Sequence, residues 1–200
     1  MQVGELIKFG EYEWRVLAVQ DNTALIITEN IIEQRPYHNK YFDITWADCA
    51  LRTYLNGEFY DKFAESDKAR IVPVINQNPD NPWYGTKDGF DTYDKIFLLS
   101  LEEVACKYFG DSSALLHNPS PKQRYWFQRK DVNNAKRIAK FTNESWASWW
   151  WLRTVGRVSV KAVYIWDDGN IGIQGNNVLK GNIDEGKCRG GVRPALWLKL

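Results

Sequence analysis

The stretch Trp146-Ala147-Ser148-Trp149-Trp150-Trp151-Leu152-Arg153 opens the last quarter of the chain, and Gly190-Gly191-Val192-Arg193-Pro194-Ala195-Leu196-Trp197-Leu198 lies near its end. Four tryptophans within six residues carry more aromatic surface than a solvated loop can hold, so most of this cluster is expected to be buried. The residues between the two motifs are rich in Gly, Asn and Asp, which favour loops and tight hairpins. This quarter therefore predicts a packed frame that holds an irregular, exposed insert.

Length and composition limit the possible architectures and partners. A chain of 200 residues suffices for one domain and is short for two, so we expect a single domain over residues 1–200. Ten Trp and ten Tyr indicate an aromatic core. The net charge of +1 gives no global field that would recruit nucleic acid or an anionic membrane.

The cysteines and the hydropathy pattern bear on the compartment. Cys49, Cys106 and Cys188 are widely spaced, which is typical of neither a disulfide framework nor a metal-binding knuckle. Residues 1–8 carry neither the basic region nor the apolar region of a signal peptide, so none is expected, and no apolar run approaches the length of a membrane span. As written, the chain is expected in the cytoplasm, or as a domain of a larger or surface-associated protein.

Local patterns predict a strand meander and two helices. The first thirty residues read as three short antiparallel strands, with a turn at Asp21-Asn22. One helix is predicted to begin with Thr45 as N-cap and Asp48 reaching back to its backbone N–H. The capping box of Ser100 and Glu103 predicts a second helix.

The rest of the chain alternates irregular and strand-like segments. A long surface loop is predicted over residues 76–94, followed by a short buried strand over residues 95–99. Residues 111–133 are the least regular part. Residues 162–173 predict a hairpin around the turn at 167–170.

A series of motifs then carries a family resemblance. In chain order they are Thr45-Trp46, Leu51-Arg52, Leu55-Asn56-Gly57-Glu58-Phe59-Tyr60, Asp94-Lys95-Ile96-Phe97-Leu98-Leu99-Ser100, Trp150-Trp151-Leu152-Arg153 and Gly191-Val192-Arg193-Pro194-Ala195-Leu196-Trp197. The chain resembles an uncharacterised bacterial domain family whose C-terminal pattern is similar to that of C-type-lectin-fold proteins. These relatives include formylglycine-generating-enzyme-like domains and the variable proteins of diversity-generating retroelements.

The resemblance implies an α+β, C-type-lectin-like fold with mixed antiparallel sheets, two flanking helices and long C-terminal loops. It implies that the first and last strands pair and that residues 154–189 form a solvent-facing binding surface. Retroelement-diversified relatives carry their variable positions in that segment. This chain departs from their usual asparagine- and serine-rich insert by placing larger residues there, and whether it is diversified stays open. The departing residues are Arg157, Val158, Val160, Lys161 and Tyr164.

Two arginines beside aromatic residues have two interpretations. Arg153 and Arg193 either recognise an anion or serve as structural guanidinium groups, stacked on tryptophan and bonded to carbonyls or a carboxylate. The structural interpretation is favoured, because a buried arginine must be paired whatever it does. We therefore assign Trp150, Trp151, Arg153 and Arg193 to the structural frame.

Metal and redox chemistry have weaker signals. The run Trp166-Asp167-Asp168-Gly169-Asn170 is similar to the calcium signature of sugar-binding C-type lectins, but the partner motif is absent and the residues equally suit a hairpin turn. No metal ligands and no cofactor are predicted. The oxidase branch of the fold uses a closely spaced cysteine pair, whereas Cys188 stands alone among basic neighbours.

Hydrolytic and nucleic-acid functions find less support still. His38 and His117 lie in polar contexts without a nucleophile motif nearby. Residues 122–140 mix basic and aromatic side chains that could bind single-stranded nucleic acid, but a solvated basic face over a packed aromatic anchor is favoured.

We therefore expect a non-enzymatic ligand-binding or display module that uses residues 154–189 for a protein or peptide partner. Residues 78–89 would border this surface. The alternatives are a formylglycine-generating-enzyme-like oxidoreductase and a calcium-dependent glycan-binding lectin. Tyr, Trp and Arg offer large contact areas, and Asn and Ser offer adaptable hydrogen bonds. On that basis the ligand-binding candidates, all expected to be exposed, are Arg157, Ser159, Lys161, Tyr164, Trp166, Asp168, Asn170, Asn176, Asn177 and Lys180.

Overall fold

A computed structural model describes residues 1–123, 125–126, 131–179 and 190–200. The first sheet in this part of the chain has five strands and is antiparallel throughout. In spatial order they are β1 (Leu6–Phe9), β2 (Tyr12–Gln20), β3 (Thr23–Thr28), β14 (Ala195–Lys199) and β5 (Ile71–Val72).

The predicted N-terminal meander is confirmed. Asp21 and Asn22 connect β2 to β3 with φ angles of 47° and 62°, the left-handed conformation that a tight hairpin turn requires. The pairing expected for the first and last strands is wrong in detail. Because β14 pairs with β3, with Lys199 opposite Thr23, β1 lies at the edge of the sheet beside β2.

The second sheet contains most of the C-terminal quarter. In spatial order its strands, as far as they are described, are β12 (Ile171–Asn177), β11 (Lys161–Ile165), β10 (Trp150–Val155), β13 (Gly191–Val192) and β4 (Glu33–Gln34). Its pairs are antiparallel except for β10 with β13. Every residue of β10 is buried. The expectation of long loops after residue 154 is therefore wrong for the described part, which is mainly strands with short turns.

Two short ribbons complete the strands in the described residues. They are β6 (Val74–Asn76) with β7 (Thr92–Asp94), and β8 (Ala139–Lys140) with β9 (Ala147–Ser148). The loop predicted over residues 76–94 thus begins and ends in a ribbon, and its Asn78, Asn81 and Asp88 are buried. Residues 96–99 are buried as predicted, but their pairing is limited to a bridge between Phe97 and Ala195.

Both predicted helices are present, and one starts differently. The Ser100–Glu103 capping box is confirmed, with the Ser100 N–H donating to Glu103 Oε2 at 2.7 Å and the Glu103 N–H donating to Ser100 Oγ at 3.2 Å. The Thr45 side chain makes no capping bond. Cys49 caps the first helix instead, because its Sγ accepts the Arg52 N–H at 3.3 Å.

The helical segments are short, and several are not purely α-helical. The first helix consists of α1 (Ala50–Tyr54), a π-helical turn at Leu55–Phe59 and a 3₁₀ turn at Tyr60–Lys62, and a 3₁₀ turn at Trp46–Asp48 precedes it. The capping box leads into a π-helical segment at Glu103–Tyr108. The remaining described helices are α2 (Glu65–Lys68), α3 (Ser113–His117) and α4 (Asn134–Arg137).

The described architecture is mixed α+β, with several antiparallel pairings and few helices. Its core is both aromatic and aliphatic, so the composition predicted it in part: Trp14, Trp46, Trp126, Trp150 and Trp151 are fully buried, and a larger number of Ile, Leu and Val side chains is buried with them. Trp146 is 64% exposed, unlike the three tryptophans that follow it. None of the helices in the described residues has the length and apolar character needed to cross a bilayer.

Candidate binding groove

The β11–β12 hairpin forms a wall of an open groove with a volume of about 760 Å³. We name this cavity the hairpin groove. Its lining combines aromatic rings with amide and carboxylate groups. The lining residues are Tyr125, Tyr164, Trp166, Asp167, Asp168, Asn170, Gln174 and Asn176.

The tip of the hairpin is held by its own turn. The Asn170 backbone N–H donates to Asp168 Oδ1 at 2.9 Å, and the Asn170 amide donates to Asp168 Oδ2 at 2.8 Å. Both carboxylate oxygens of Asp168 therefore stabilise the turn, as the turn interpretation predicted. Among the described residues, no group of three or more His, Cys, Asp or Glu side chains is placed to hold a metal ion.

Helix α4 packs against the tip of the β11–β12 hairpin and holds it in place. The Asn134 amide donates to Asn170 Oδ1 at 2.9 Å, and Arg137 Nη1 donates to the Gly169 carbonyl at 3.1 Å. Gly169 has a φ of +80°, and a Cβ there would lie 1.9 Å from the Asn134 carbonyl oxygen. This position therefore requires glycine, and the approach of α4 leaves the tip little freedom.

Arg137 corrects the interpretation of the basic segment as a solvated face. Its side chain is fully buried and pairs with Asp131, and its Nη2 donates to Ser112 Oγ at 3.0 Å. Burial lowers the pKa of Arg137, and the bond to Asp131 opposes that effect. Arg124, Arg129 and Lys130 of the same segment lie outside the described residues.

Tyr164 is wrongly placed among the exposed candidates. It is 2% exposed, and its ring makes edge contacts with Trp149 and Trp166 at centroid distances of 5.6 Å and 5.2 Å. The ring lies over Gly172, where a Cβ would come within 2.2 Å of it. Burial raises the pKa of the Tyr164 hydroxyl, which accepts the Gln174 amide at 3.1 Å. Tyr164 is thus a core residue with one polar atom at the groove.

Trp166 offers the groove an accessible aromatic surface. Its side chain is half-buried, packed on Tyr164 on one side and lining the groove on the other. Its indole N–H donates no hydrogen bond to any residue in the described ranges. A half-exposed tryptophan with a free donor is a typical anchor for a ligand.

Two side chains of β12 carry buried polar atoms that lack partners. Gln174 Oε1, an acceptor, and Asn176 Nδ2, a donor, are both buried, and neither has a hydrogen-bond partner in the described part of the chain. Both residues line the hairpin groove. Because buried polar atoms are nearly always paired, this donor and this acceptor are two unsatisfied groups beside one cavity.

The remaining candidates do not line the hairpin groove. Arg157 and Ser159 belong to the turn between β10 and β11, where Ser159 Oγ donates to Asp43 Oδ1 at 2.6 Å. Lys161 lies opposite Asn177 at the other end of the hairpin, and Asn177 Oδ1 accepts the Leu179 N–H at 2.9 Å. Lys180 and Cys188 lie outside the described residues.

The loop expected to border the candidate surface does contact the Arg157 turn. Thr86 Oγ1 donates to the Arg157 carbonyl at 2.8 Å, and the Arg157 guanidinium lies 5.9 Å from the centroid of Tyr84. The structure therefore places several of the described candidates on two separate surfaces. One is the hairpin groove, and the other is this turn with its neighbouring loop.

Arg153 and Arg193 have the contacts expected of structural guanidinium groups. Arg153 bonds to Glu103, Asn78 and backbone carbonyls. Arg193 Nε donates to the Thr28 carbonyl at 2.8 Å, and its Cζ lies 5.1 Å from the Trp150 ring centroid. Burial lowers the pKa of Arg193 to about 10. Both side chains hold strands and loops together.

A comparison with known protein families identifies the group to which this fold belongs. The model of the domain of unknown function DUF6273 matches residues 21–200. The chain belongs to this family. No curated protein and no solved structure matches the chain. The DUF6273 match begins near the end of β2 and includes the whole β11–β12 hairpin, so the hairpin groove lies within the family's domain.

Three residues that line the hairpin groove were not among the sequence-based candidates. They are Tyr125, Asp167 and Gln174. Gln174 could have been predicted from the sequence, because residues two apart in a strand share a face and Asn176 was already a candidate. No sequence pattern could have placed Tyr125 at the groove, since it comes from a segment far from the hairpin in sequence.

Proposed function

We propose that this chain is a non-enzymatic binding module whose hairpin groove binds a peptide segment of a protein partner. The observation that carries the proposal is the unpaired acceptor of Gln174 and the unpaired donor of Asn176 beside the half-exposed ring of Trp166. Each unpaired buried polar atom costs roughly 1–3 kcal/mol, and a ligand that pairs both, once the two side chains turn into the groove, would recover that cost.

A peptide suits these groups because its main chain offers a carbonyl acceptor and an N–H donor at every residue other than proline. An apolar side chain of the peptide would pack on Trp166. Asp167 is exposed at the tip and forms no ion pair with another described residue, so it favours a basic residue in the peptide.

The sheet connections support a C-type-lectin-like arrangement as part of this proposal. The last strand, β14, lies between β3 and β5, so distant parts of the chain meet in one sheet. The second sheet then carries the β11–β12 hairpin with the groove at its tip. A rigid frame that presents one hairpin is suited to display and binding.

The test is a selection from a displayed peptide library on the immobilised protein, followed by calorimetric titration of the recovered peptide. We expect Trp166→Ala to weaken binding at least about tenfold, as for other aromatic anchors. Trp146→Ala is the matched control, because Trp146 is 64% exposed and does not line the groove. Equal affinity for both variants would contradict the proposal.

Asn176→Ala provides a second readout that does not depend on Trp166. Because Asn176 Nδ2 is buried without a partner in the free protein, its removal should not lower the free energy of unfolding by more than about 1 kcal/mol, whereas it should weaken peptide binding. If the variant binds as well as the wild type, the unpaired atom has no role in recognition.

The alternatives make different predictions in the same assay. A glycan-binding lectin would retain oligosaccharides rather than peptides, and retention abolished by a chelator would indicate the calcium-dependent form. The oxidoreductase alternative depends on Cys188, which lies outside the described residues. Substrate oxidation that is lost on Cys188→Ser would favour it over the binding module.

A further inference from the structure

A second cavity, with a volume of about 500 Å³, lies between the segment after β4 and the first helix. It shares no lining residue with the hairpin groove. Arg35 and His38 line it from the segment after β4, while Asp48 and Glu58 line it from the helical side. We name it the Arg35 cleft.

The guanidinium of Arg35 is held in place while its end remains open. Its Cζ lies 3.5 Å from the centroid of the Tyr54 ring, and its Nε donates to Glu33 Oε2 at 2.9 Å. The Tyr54 hydroxyl bonds to the other oxygen of Glu33. Neither Nη nitrogen of Arg35 bonds to a carboxylate of a described residue. The two Nη nitrogens of a fixed guanidinium match the two oxygens of a carboxylate.

His38 adds an oriented donor to the same wall. Its Nδ1 accepts the Ala50 N–H at 3.1 Å, so in the neutral ring the proton is on Nε2. Burial and the nearby Lys40 lower the pKa of His38, which favours this neutral form. The Phe42 ring packs edge-on against the imidazole at a centroid distance of 4.8 Å.

The helical side of the cleft presents carboxylates without partners. Asp48 and Glu58 are exposed, and neither side chain takes part in an ion pair or a hydrogen bond within the described ranges. No nitrogen of Arg35 lies within 4.0 Å of either carboxylate. The cleft is therefore lined by cationic and anionic groups that do not neutralise each other.

We propose that the Arg35 cleft binds a small zwitterion of about dipeptide size. The carboxylate of the ligand would pair with the Arg35 Nη nitrogens and His38 Nε2–H, and its ammonium group would lie beside Asp48 or Glu58. The cavity is within the range of small-molecule sites, about 300–1,000 Å³. A ligand with a single charge would pair either with Arg35 and His38 or with the carboxylates, and would leave the other groups unpaired.

The first experiment uses glycylglycine as the probe and follows backbone amide shifts of the ¹⁵N-labelled protein. N-acetylglycylglycine lacks the ammonium group, and glycylglycinamide lacks the carboxylate. We expect glycylglycine to shift the amides around residues 35–39 and 48–58, and each blocked form to bind at least about tenfold more weakly. Absence of binding, or equal binding by a blocked form, would overturn the proposal.

The second experiment tests whether Asp48 and Glu58 bind the ammonium group of the ligand. Asp48→Asn and Glu58→Gln change exposed, unpaired groups, so both variants should fold normally. Combined, they are expected to weaken glycylglycine binding at least about tenfold and to leave N-acetylglycylglycine binding unchanged. Glu102→Gln, an exposed carboxylate outside the cleft, is the control. If the double variant binds glycylglycine like the control, the assignment is wrong.

Discussion

Arg153 Nη1 donates to Glu103 Oε2 at 2.5 Å, and the same carboxylate oxygen accepts the Ser100 N–H at 2.7 Å. One carboxylate therefore joins strand β10 to the start of the second long helical segment. Arg153 extends the connection, because its Nε donates to Asn78 Oδ1 at 3.1 Å. The buried loop after β6, the helix start and the central strand of the second sheet meet at this pair.

Glu103→Gln is expected to destabilise the protein by about 3–5 kcal/mol, because it leaves the buried Arg153 charge without its counter-ion. Burial alone would raise the pKa of Glu103, but the Arg153 charge and the Ser100 N–H lower it below its usual range. The stabilisation is thus present above the unfolded-state pKa of 4.5 and lost as the pH falls through the folded-state pKa. Urea unfolding at neutral pH measures the loss. Glu102→Gln should remain within about 0.5 kcal/mol of wild type, and a similar value for Glu103→Gln would contradict the prediction.

Asp88 should make stability decrease with rising pH. Burial raises its pKa from 3.8 to about 8, although the Val155 N–H and Arg153 oppose the shift, and its Oδ2 has no partner in the described part of the chain. Since the raised pKa favours the neutral acid in the folded state, the free energy of unfolding should fall between about pH 4 and pH 8 by up to about 1.4 kcal/mol per pH unit.

Asp88→Asn tests whether Asp88 causes this pH dependence of stability, because an amide keeps an acceptor for the Val155 N–H and does not titrate. Its unfolding free energy, measured by urea denaturation from pH 5 to pH 8, should lose the slope attributed to Asp88. Parallel pH profiles for the variant and the wild type would assign the slope to other groups.

Gly172→Ala is expected to destabilise the protein by about 1–3 kcal/mol. The added Cβ would lie 2.2 Å from the Tyr164 ring, which is packed between Trp149 and Trp166 and cannot move away freely. Gly57→Ala is the matched control, because a Cβ at that helical position meets no atom within 4 Å. Thermal unfolding compares the two, and an equal effect would show that the Tyr164 contact is not tight.

Cys49 should resist alkylation in the native protein. It is fully buried, and burial raises the pKa of its thiol to about 12, so almost no thiolate is present at neutral pH. Cys106 is half-buried and should react before Cys49. Mass spectrometry of peptides after treatment with iodoacetamide measures both sites. Modification of Cys49 without denaturant, at a rate comparable to that of Cys106, would contradict this burial.

Local signals in the sequence predicted local structure well. The Ser100–Glu103 box and the Asp21-Asn22 turn depend on residues at most three positions apart, and both form as expected. The Thr45 cap failed although its pattern was similar. Nothing in that pattern shows that the helix begins after Cys49, whose Sγ takes the capping role.

The candidate sites depended on contacts that no single stretch of sequence contains. Tyr164 resembled an exposed binding residue, and its burial follows from the cross-strand position of Gly172 and the packing of Trp149. The Arg35 cleft joins residues from the segment after β4 to residues of the first helix, and these charged residues form one candidate site only because the fold brings them to the same cavity. Such relationships require the tertiary structure.

The position of β14 has a consequence for how the molecule is made. Because β14 lies between β3 and β5, neither of these strands has its full set of partners until the residues up to Lys199 have left the ribosome. During synthesis the edge of β3 in the N-terminal meander stays unpaired until β14 emerges, and an unpaired strand edge is prone to aggregation. Completion of the first sheet is therefore expected after translation of β14 rather than during it, and the emerging chain is a natural client for a chaperone that shields exposed strands.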